Sequence, residues 1–331
     1  MPTIDVPSTH RALVVTTPGG RGVLAVEALP VPEPGAGQVL VEVAAAGVNF
    51  IDVYKREAIY PIPTPFVLGD EFAGTVVAVG PGVTATEVGQ VVATTEARGA
   101  MATYALAAAD RVVPVPDTLA ADVACAAMLQ GMTAHYLTTS TYPIQAGDRV
   151  LVHAAAGGVG QLLVQLAKAR GAHVVATVGS AAKVAIAEAA GADVVLRYDE
   201  IDDLAAAVRE ASDGGVHVAY DGVGKATFEA SLASLRRRGM LALFGGASGQ
   251  VPPFDLQRLN AAGSLFVTRP TLAHYVATRE ELLWRSGEVL GAIADGRLRL
   301  EVGGRYPLER AADAYEALEG RATTGKLLLI P

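Results

Sequence analysis

The residues with the clearest chemical use stand at Val150-Leu-Val-His-Ala-Ala-Ala-Gly157-Gly158-Val-Gly160-Gln161. The spacing Ala155-x-Gly157-x-x-Gly160 is a dinucleotide-binding turn with alanine at its first small position. Such a turn needs small residues. Gly157 lets the backbone approach a pyrophosphate, and Gly160 lets the following helix pack close to the preceding strand. The helix start then aims unpaired N–H groups at the phosphates. Ala156, Gly157, Gly158, Val159 and Gly160 are expected to touch the cofactor. A tight turn without a ligand is the plainer alternative, and the strand candidates that follow it weigh against that alternative.

The next question is which dinucleotide. Roughly 20 residues past the turn, a carboxylate would bind a ribose 2′-hydroxyl. Val178 and Gly179 stand there instead, followed by Ser180 and Lys183. Ser180 suits the cap of a helix over 181–190, which puts Lys183 in the first turn. A cation there opposes the helix dipole by ~0.3–1 kcal/mol. An external anion reverses that sign, and a 2′-phosphate is such an anion. A solvated surface lysine is the other reading of Lys183. The pattern predicts NADPH rather than NADH.

The elements that must position these residues follow from periodicity. From Arg149, short apolar runs alternate with helical stretches, as in βαβ units with a parallel sheet. Strands are predicted over 150–153, 173–178, 194–196, 216–220, 240–244 and 264–268. Helices are predicted over 161–170, 181–190, 201–211 and 226–238, with Gly171, Gly191 and Gly239 as left-handed caps. The Arg236-Arg237-Arg238 run would close the last of these, where cations suit the dipole. Ligands of such sheets lie beyond the carboxyl ends of the strands.

The first hundred residues read differently, as short strands over 11–17, 38–46, 74–80 and 90–95 with Gly/Pro turns between them. That pattern suggests an antiparallel, barrel-like body. Helices are expected over 120–128, 275–294 and 306–320. A final apolar strand, 326–330, must join a sheet, and the barrel is its natural host. The fold class is therefore α/β: a doubly wound Rossmann sheet inserted into an antiparallel β domain. The expected division is 1–133 with 272–331, and 134–271.

Composition narrows the function further. The 331 residues are 51% apolar and 18% charged, which excludes disorder as a whole. Against 34 acidic residues stand 26 basic ones, a net charge of −8, so no general footprint for nucleic acid or an anionic membrane is expected. One cysteine, Cys125, excludes an internal disulfide and any multi-cysteine zinc site. It falls in an apolar helix and suits an inert core position. The opening residues lack a secretory pattern, and the most apolar long window, 150–178, is broken by glycines, Lys168 and Arg170. A soluble, cytoplasmic protein is expected.

Further segments carry a family likeness. They are Gly47-Val-Asn49-Phe-Ile-Asp52-Val-Tyr54-Lys-Arg56, Tyr60-Pro61, Pro65-Phe-Val-Leu-Gly69-Asp-Glu71-Phe-Ala-Gly74 and Gln130-Gly-Met-Thr133-Ala-His-Tyr136. Beyond the glycine-rich turn come Tyr220-Asp-Gly-Val-Gly224, Phe244-Gly-Gly-Ala-Ser-Gly249, Val267-Thr-Arg-Pro270 and Gly320-Arg-Ala-Thr-Thr-Gly-Lys326. With these, the whole chain resembles the zinc-independent NADPH:quinone oxidoreductases, the zeta-crystallin-like group of the medium-chain dehydrogenase/reductase superfamily.

The resemblance implies a GroES-like catalytic domain, a Rossmann domain and NADPH lying in a cleft between them. It places Asn49, Tyr54 and Tyr60 on the catalytic side and Thr133 at the end of the nicotinamide. Gly179, Ser180, Lys183, Tyr198 and Arg321 would hold the 2′-phosphate end. Gly222, Phe244, Gly245, Gly246, Phe266 and Thr268 would flank the rest of the cofactor. Gly246 departs from relatives that carry asparagine there. The resemblance also implies a homodimer through an edge strand near 264–268.

Zinc-dependent cousins carry a cysteine at the place of Asn49 and a histidine at that of Asp70, so no metal is expected. Asn49 also suits a plain turn position, Tyr54 and Tyr60 suit wall aromatics, and Asp52, Asp70 and Glu71 suit loop braces. His153, at a strand end, suits a hydrogen-bonded core position better than a base. The implied reaction is hydride transfer from NADPH to a quinone or similar conjugated acceptor, with Tyr54 as the group polarising the acceptor carbonyl. Two rivals are an NADPH-dependent alkenal or enone reductase and a crystallin-like or RNA-binding protein that retains NADPH.

Overall fold

The computed structural model describes residues 6–320 and 323–331. Arg321 lies outside the described residues. The chain divides into two compact units, Met1–Leu129 with Thr278–Pro331, and Gln130–Ala277.

The discontinuous unit begins with β1 (Thr9–Val15), β2 (Leu24–Pro30) and β3 (Gln38–Val48), then α1 (Phe50–Arg56). It continues through β4 (Phe66–Val67), β5 (Phe72–Val79), β6 (Val91–Thr94), β7 (Tyr104–Ala108) and β8 (Val113–Pro114). The division of the chain falls within α2 (Ala121–Tyr136). That helix runs eight residues beyond the predicted end and passes into a π turn, Leu137–Thr141. An alanine-rich, largely buried face lets it continue past Gly131.

The continuous unit holds β9 (Arg149–Val152), α3 (Gly158–Ala169), β10 (His173–Val178), α4 (Val184–Ala189), β11 (Val194–Arg197) and α5 (Leu204–Ala211). It closes with β12 (Val216–Asp221), α6 (Phe228–Ala233), β13 (Leu235–Leu243), α7 (Gln257–Ala261) and β14 (Phe266–Thr268). All six strands are parallel, in the order β11-β10-β9-β12-β13-β14. This is the doubly wound order, and its direction reverses at β9. Val150, Leu151, Val152, Val174, Val175 and Ala176 are fully buried, as strands covered on both faces must be. α3 turns Leu162, Leu163, Val164 and Ala167 to the interior.

The chain then returns to the first unit as α8 (Arg279–Ala294), β15 (Val302–Pro307), α9 (Ala311–Glu319) and β16 (Lys326–Ile330). There β16 lies between β15 and β3 in a seven-stranded sheet, ordered β15-β16-β3-β5-β6-β8 with β7 also paired to β3. Leu13, Val41, Phe72, Val76, Val92 and Leu329 share one buried core. The terminal strand thus joins the antiparallel body, as its apolar run demanded.

Three predicted helices differ. The helix over 226–238 ends at Ala233, because Leu235 pairs with Val216 and starts β13. Arg236, Arg237 and Arg238 therefore form an exposed bulge on a strand, not a helix end. Arg238, not Gly239, takes the left-handed backbone, while Gly171 and Gly191 do take it. The helix over 275–294 starts only at Arg279, where Thr278 and Glu281 form a capping box. The helix over 306–320 yields its first residues to β15, which pairs in parallel with β16. In each case strand pairing or a cap overrides helical periodicity.

Candidate cofactor and active site

The glycine-rich turn leaves β9 at Val152. Ala154 adopts a left-handed backbone, φ 51°, a conformation that costs an L-residue about 1–2 kcal/mol. Its carbonyl points into the turn and accepts from Gly157 N at 2.9 Å. A Cβ on Gly160 would lie 2.3 Å from that carbonyl oxygen, so only glycine lets α3 start there. Gly157 is the N-cap of α3, no side chain caps the helix, and its first turn holds no acid. The α3 amides are thereby left for an anion. Gln130 lies against Gly158, where a Cβ would fall 1.9 Å from its Oε1. That oxygen is buried with no hydrogen-bond partner. Ala156 is buried and its carbonyl accepts from the Gln161 amide at 2.9 Å. This cradle, which a Cβ would fill, suits a dinucleotide.

At the carboxyl end of β10, the Tyr198 hydroxyl occupies the space beside Gly179, where a Cβ would come within 2.2 Å of it. A side chain at position 179 would have to displace that hydroxyl. Ser180 takes the N-cap position as expected, but without a side-chain hydrogen bond. The helix it starts is first a 3-10 turn, Ala181–Lys183, and then α4. Lys183 is half-buried, and burial holds its ammonium below the usual lysine range. Gly179, Ser180, Lys183 and Tyr198 thus gather on the ends of β10 and β11.

The ends of β12 and β13 are packed backbone to backbone. The Phe244 ring lies against Gly222, and a Cβ on Gly245 would fall 2.4 Å from Gly222 O. Gly246 is buried and sits against Gly224. On β14, Phe266 is exposed and Thr268 half-buried. Thr133 is buried on α2.

Beneath these turns lies a polar network that the sequence reading missed. Asp221 is fully buried. It accepts from Val223 N and Gly224 N, from Thr227 Oγ1, and from Ser231 Oγ at 2.7 Å. His153 meets Ser231 through Nε2 at 2.9 Å and Thr177 through Nδ1 at 2.8 Å. Burial keeps the imidazole pKa below its ordinary value, against the pull of Asp221. His153 is thus a satisfied core histidine, as expected. The available signal was an aspartate closing an apolar strand, with Thr227 and Ser231 on the helix that follows.

In the other unit, Asn49 caps α1 in a capping box with Asp52. Its side chain is fully engaged. Nδ2 donates to Glu71 Oε2 at 2.8 Å and to Gly47 O at 3.3 Å, and Oδ1 accepts from Lys326 Nζ at 2.7 Å. Lys326 and Glu71 form a fully buried ion pair, and Glu71 Oε1 accepts from Leu129 N at 2.6 Å. Asp70 pairs with Lys55. Asp52, Asp70 and Glu71 all brace local structure.

The positions where zinc ligands would stand do not fit a zinc ion. Asn49 Oδ1 already accepts from the Lys326 ammonium, which also pairs with Glu71, and Asp70 is paired with Lys55. Cys125 is buried, and burial pushes its thiol pKa well up.

Tyr54 and Tyr60 form an edge-to-face pair, with centroids 5.7 Å apart, and Tyr60 is 44% exposed. Asp52 is fully buried. Burial, reinforced by the charge of Asp70, pushes its carboxyl up to about 7.

Comparison with known proteins bears on this geometry. Residues 35–117 match the alcohol dehydrogenase GroES-like domain family, and residues 158–280 match the zinc-binding dehydrogenase family. A quinone oxidoreductase of Salmonella typhimurium is 44% identical over 318 residues, covering 95% of this chain and 97% of the relative. A mycobacterial protein, Rv1454c, solved in complex with NADPH, is 51% identical with a TM-score of 0.94. The Escherichia coli quinone oxidoreductase, also solved with NADPH, is 42% identical with a TM-score of 0.94. Both superpositions cover 97% of this chain and all of the solved one.

Proposed function

The chain belongs to the zinc-independent quinone oxidoreductases of the medium-chain dehydrogenase/reductase superfamily, and on that premise we propose that it reduces a quinone with NADPH. The observation that carries the cofactor choice is the end of β10. The Tyr198 hydroxyl lies against Gly179, where no carboxylate stands, and Lys183 ends the 3-10 turn that Ser180 caps just after it. NADPH supplies a hydride from its nicotinamide, which a conjugated carbonyl accepts without a metal. The α3 amides and the small residues of the turn receive the pyrophosphate, while Ser180, Lys183 and Tyr198 receive the 2′-phosphate. Thr133, Gly222, the Phe244–Gly246 turn, Phe266 and Thr268 line the remainder.

In the other unit, Tyr54 and Tyr60 form the aromatic wall for the acceptor, and the Tyr54 phenol is the group that polarises its carbonyl. Asn49 contributes by fixing the start of α1, the helix that carries Tyr54. A quinone needs little further acid catalysis, since its reduced oxygen takes a proton from water or a phenol.

A second copy of the chain pairs along β14, the edge of the parallel sheet. Phe266 and Val267 are exposed there, 56% and 37%, and an open edge invites pairing.

Steady-state kinetics test the reading. NADPH should exceed NADH by at least about tenfold in kcat/KM, the worth of one net phosphate contact. In the same assay, 9,10-phenanthrenequinone should exceed a simple 2-alkenal. Equal use of NADH would refute the pocket assignment, and preference for the alkenal would make the enzyme an enone reductase.

A further inference from the structure

Ala154 is the strained residue of the phosphate turn, and the residues on both sides of it are tied to one partner. Ala155 N donates to the Thr177 carbonyl at 3.0 Å, and the His153 ring meets the Thr177 hydroxyl at 2.8 Å. His153 N is also held, donating to Tyr220 O at 3.1 Å.

The proton positions in this network follow from its far end. Asp221 as the carboxylate only accepts, so the Ser231 hydroxyl donates to it. Ser231 then accepts from His153, which places the imidazole proton on Nε2. Nδ1 is left as an acceptor and takes the Thr177 hydroxyl proton. The relay Thr177→His153→Ser231→Asp221 runs in one direction, and no polar atom of the ring is spare. It joins the carboxyl ends of β9, β10 and β12, the three strands whose turns converge where the sheet order reverses. Strained backbone persists only where its surroundings over-determine it, and here they do so at the carbonyl that receives Gly157 N and abuts Gly160.

We propose that His153 is a positioning residue for NADPH: clamped at both ring nitrogens, it holds Ala154 left-handed and so keeps the turn from Gly157 to Gly160 open to the pyrophosphate. It touches neither hydride nor acceptor. This rests on the reading of that turn as the NADPH site, which wild-type binding tests by itself.

The experiment pairs Thr177→Val with Thr177→Ser, since both keep the backbone carbonyl and only serine keeps the hydroxyl. Thr177→Val should raise the NADPH dissociation constant and KM about fivefold to twentyfold, with kcat at saturating NADPH changed by less than about twofold. Thr177→Ser should stay within about twofold of wild type. Adding Ala154→Gly to Thr177→Val removes the strain the clamp must hold, and should recover most of the lost affinity. His153→Phe should match Thr177→Val; if it fails to fold, the threonine pair decides. The proposal is overturned if Thr177→Val binds NADPH like wild type, if serine and valine lose affinity alike, or if Ala154→Gly restores nothing. A wild type that does not bind NADPH would instead overturn the functional reading.

Discussion

Lys183 is the side chain on which cofactor choice can be tested most directly. It is half-buried in the 3-10 turn that Ser180 caps after β10. Lys183→Ala should raise KM for NADPH roughly fivefold to tenfold, equivalent to about 1–1.4 kcal/mol, and leave NADH kinetics nearly unchanged. An unchanged NADPH KM would remove the lysine from the site. Lys326 poses a different question, because its ammonium is buried against Glu71 and Asn49. Lys326→Met leaves a carboxylate buried without its cation and should cost on the order of 3–5 kcal/mol in urea unfolding. Adding Glu71→Gln should recover much of this; if it recovers none, the pair is not what the lysine serves. Asp52 makes stability depend on pH. Its carboxyl is pushed up to about 7 by burial and by Asp70, so the folded state holds a proton that the unfolded chain releases near pH 4. That contribution is complete below the unfolded value and is lost as pH rises through about 7. Asp52→Asn should therefore gain on the wild type between pH 4 and 8 in thermal unfolding, and a constant difference across that range would sink the assignment.

Among the elements, α8 shows how a local signal sets a boundary. Its apolar pattern extends back toward Tyr275, yet the helix begins at Arg279. There Thr278 Oγ1 accepts from Glu281 N at 3.2 Å and the glutamate side chain returns the bond. Thr278→Ala should cost about 1 kcal/mol, read from the urea midpoint. No change would mean that tertiary contacts alone fix the start. The Thr-x-x-Glu spacing that marks this start stands in the sequence and outweighs periodicity. β13 had no such signal. Its three arginines carry adequate helix propensity, and only the pairing of Leu235 with Val216 makes them part of a strand. β15 is similar: Val302–Pro307 is short and half-exposed, and becomes a strand because β16 offers it a parallel edge.

For the molecule as a whole, association is the open quantity that the edge strand raises. Two copies paired along β14 would bury the exposed Phe266 and Val267, and a two-fold contact closes on itself. Light scattering at micromolar concentration should give twice the 34.0 kDa of one chain. A mass near 34.0 kDa would refute the pairing. The chain carries a net charge of −8, and among the described residues no helix is long and apolar enough to cross a membrane.

The sequence alone determined the parallel sheet, the split antiparallel body and the glycine-rich turn. Each of these depends on local spacing: apolar runs of strand length, an apolar terminal strand, and small residues where backbone must meet backbone or phosphate. It also showed that no carboxylate stands after β10. Only the tertiary structure showed what stands beside that place, because the Tyr198 hydroxyl, from the residue after the neighbouring β11, lies against Gly179. The same holds for Lys326, which is 277 residues from the Asn49 it fixes. It holds too for the His153 relay, whose four side chains come from β10, the residue after β9, α6 and the end of β12. Periodicity reports which face of an element is buried. Which polar side chains meet inside depends on strand order, and no local pattern carries that information.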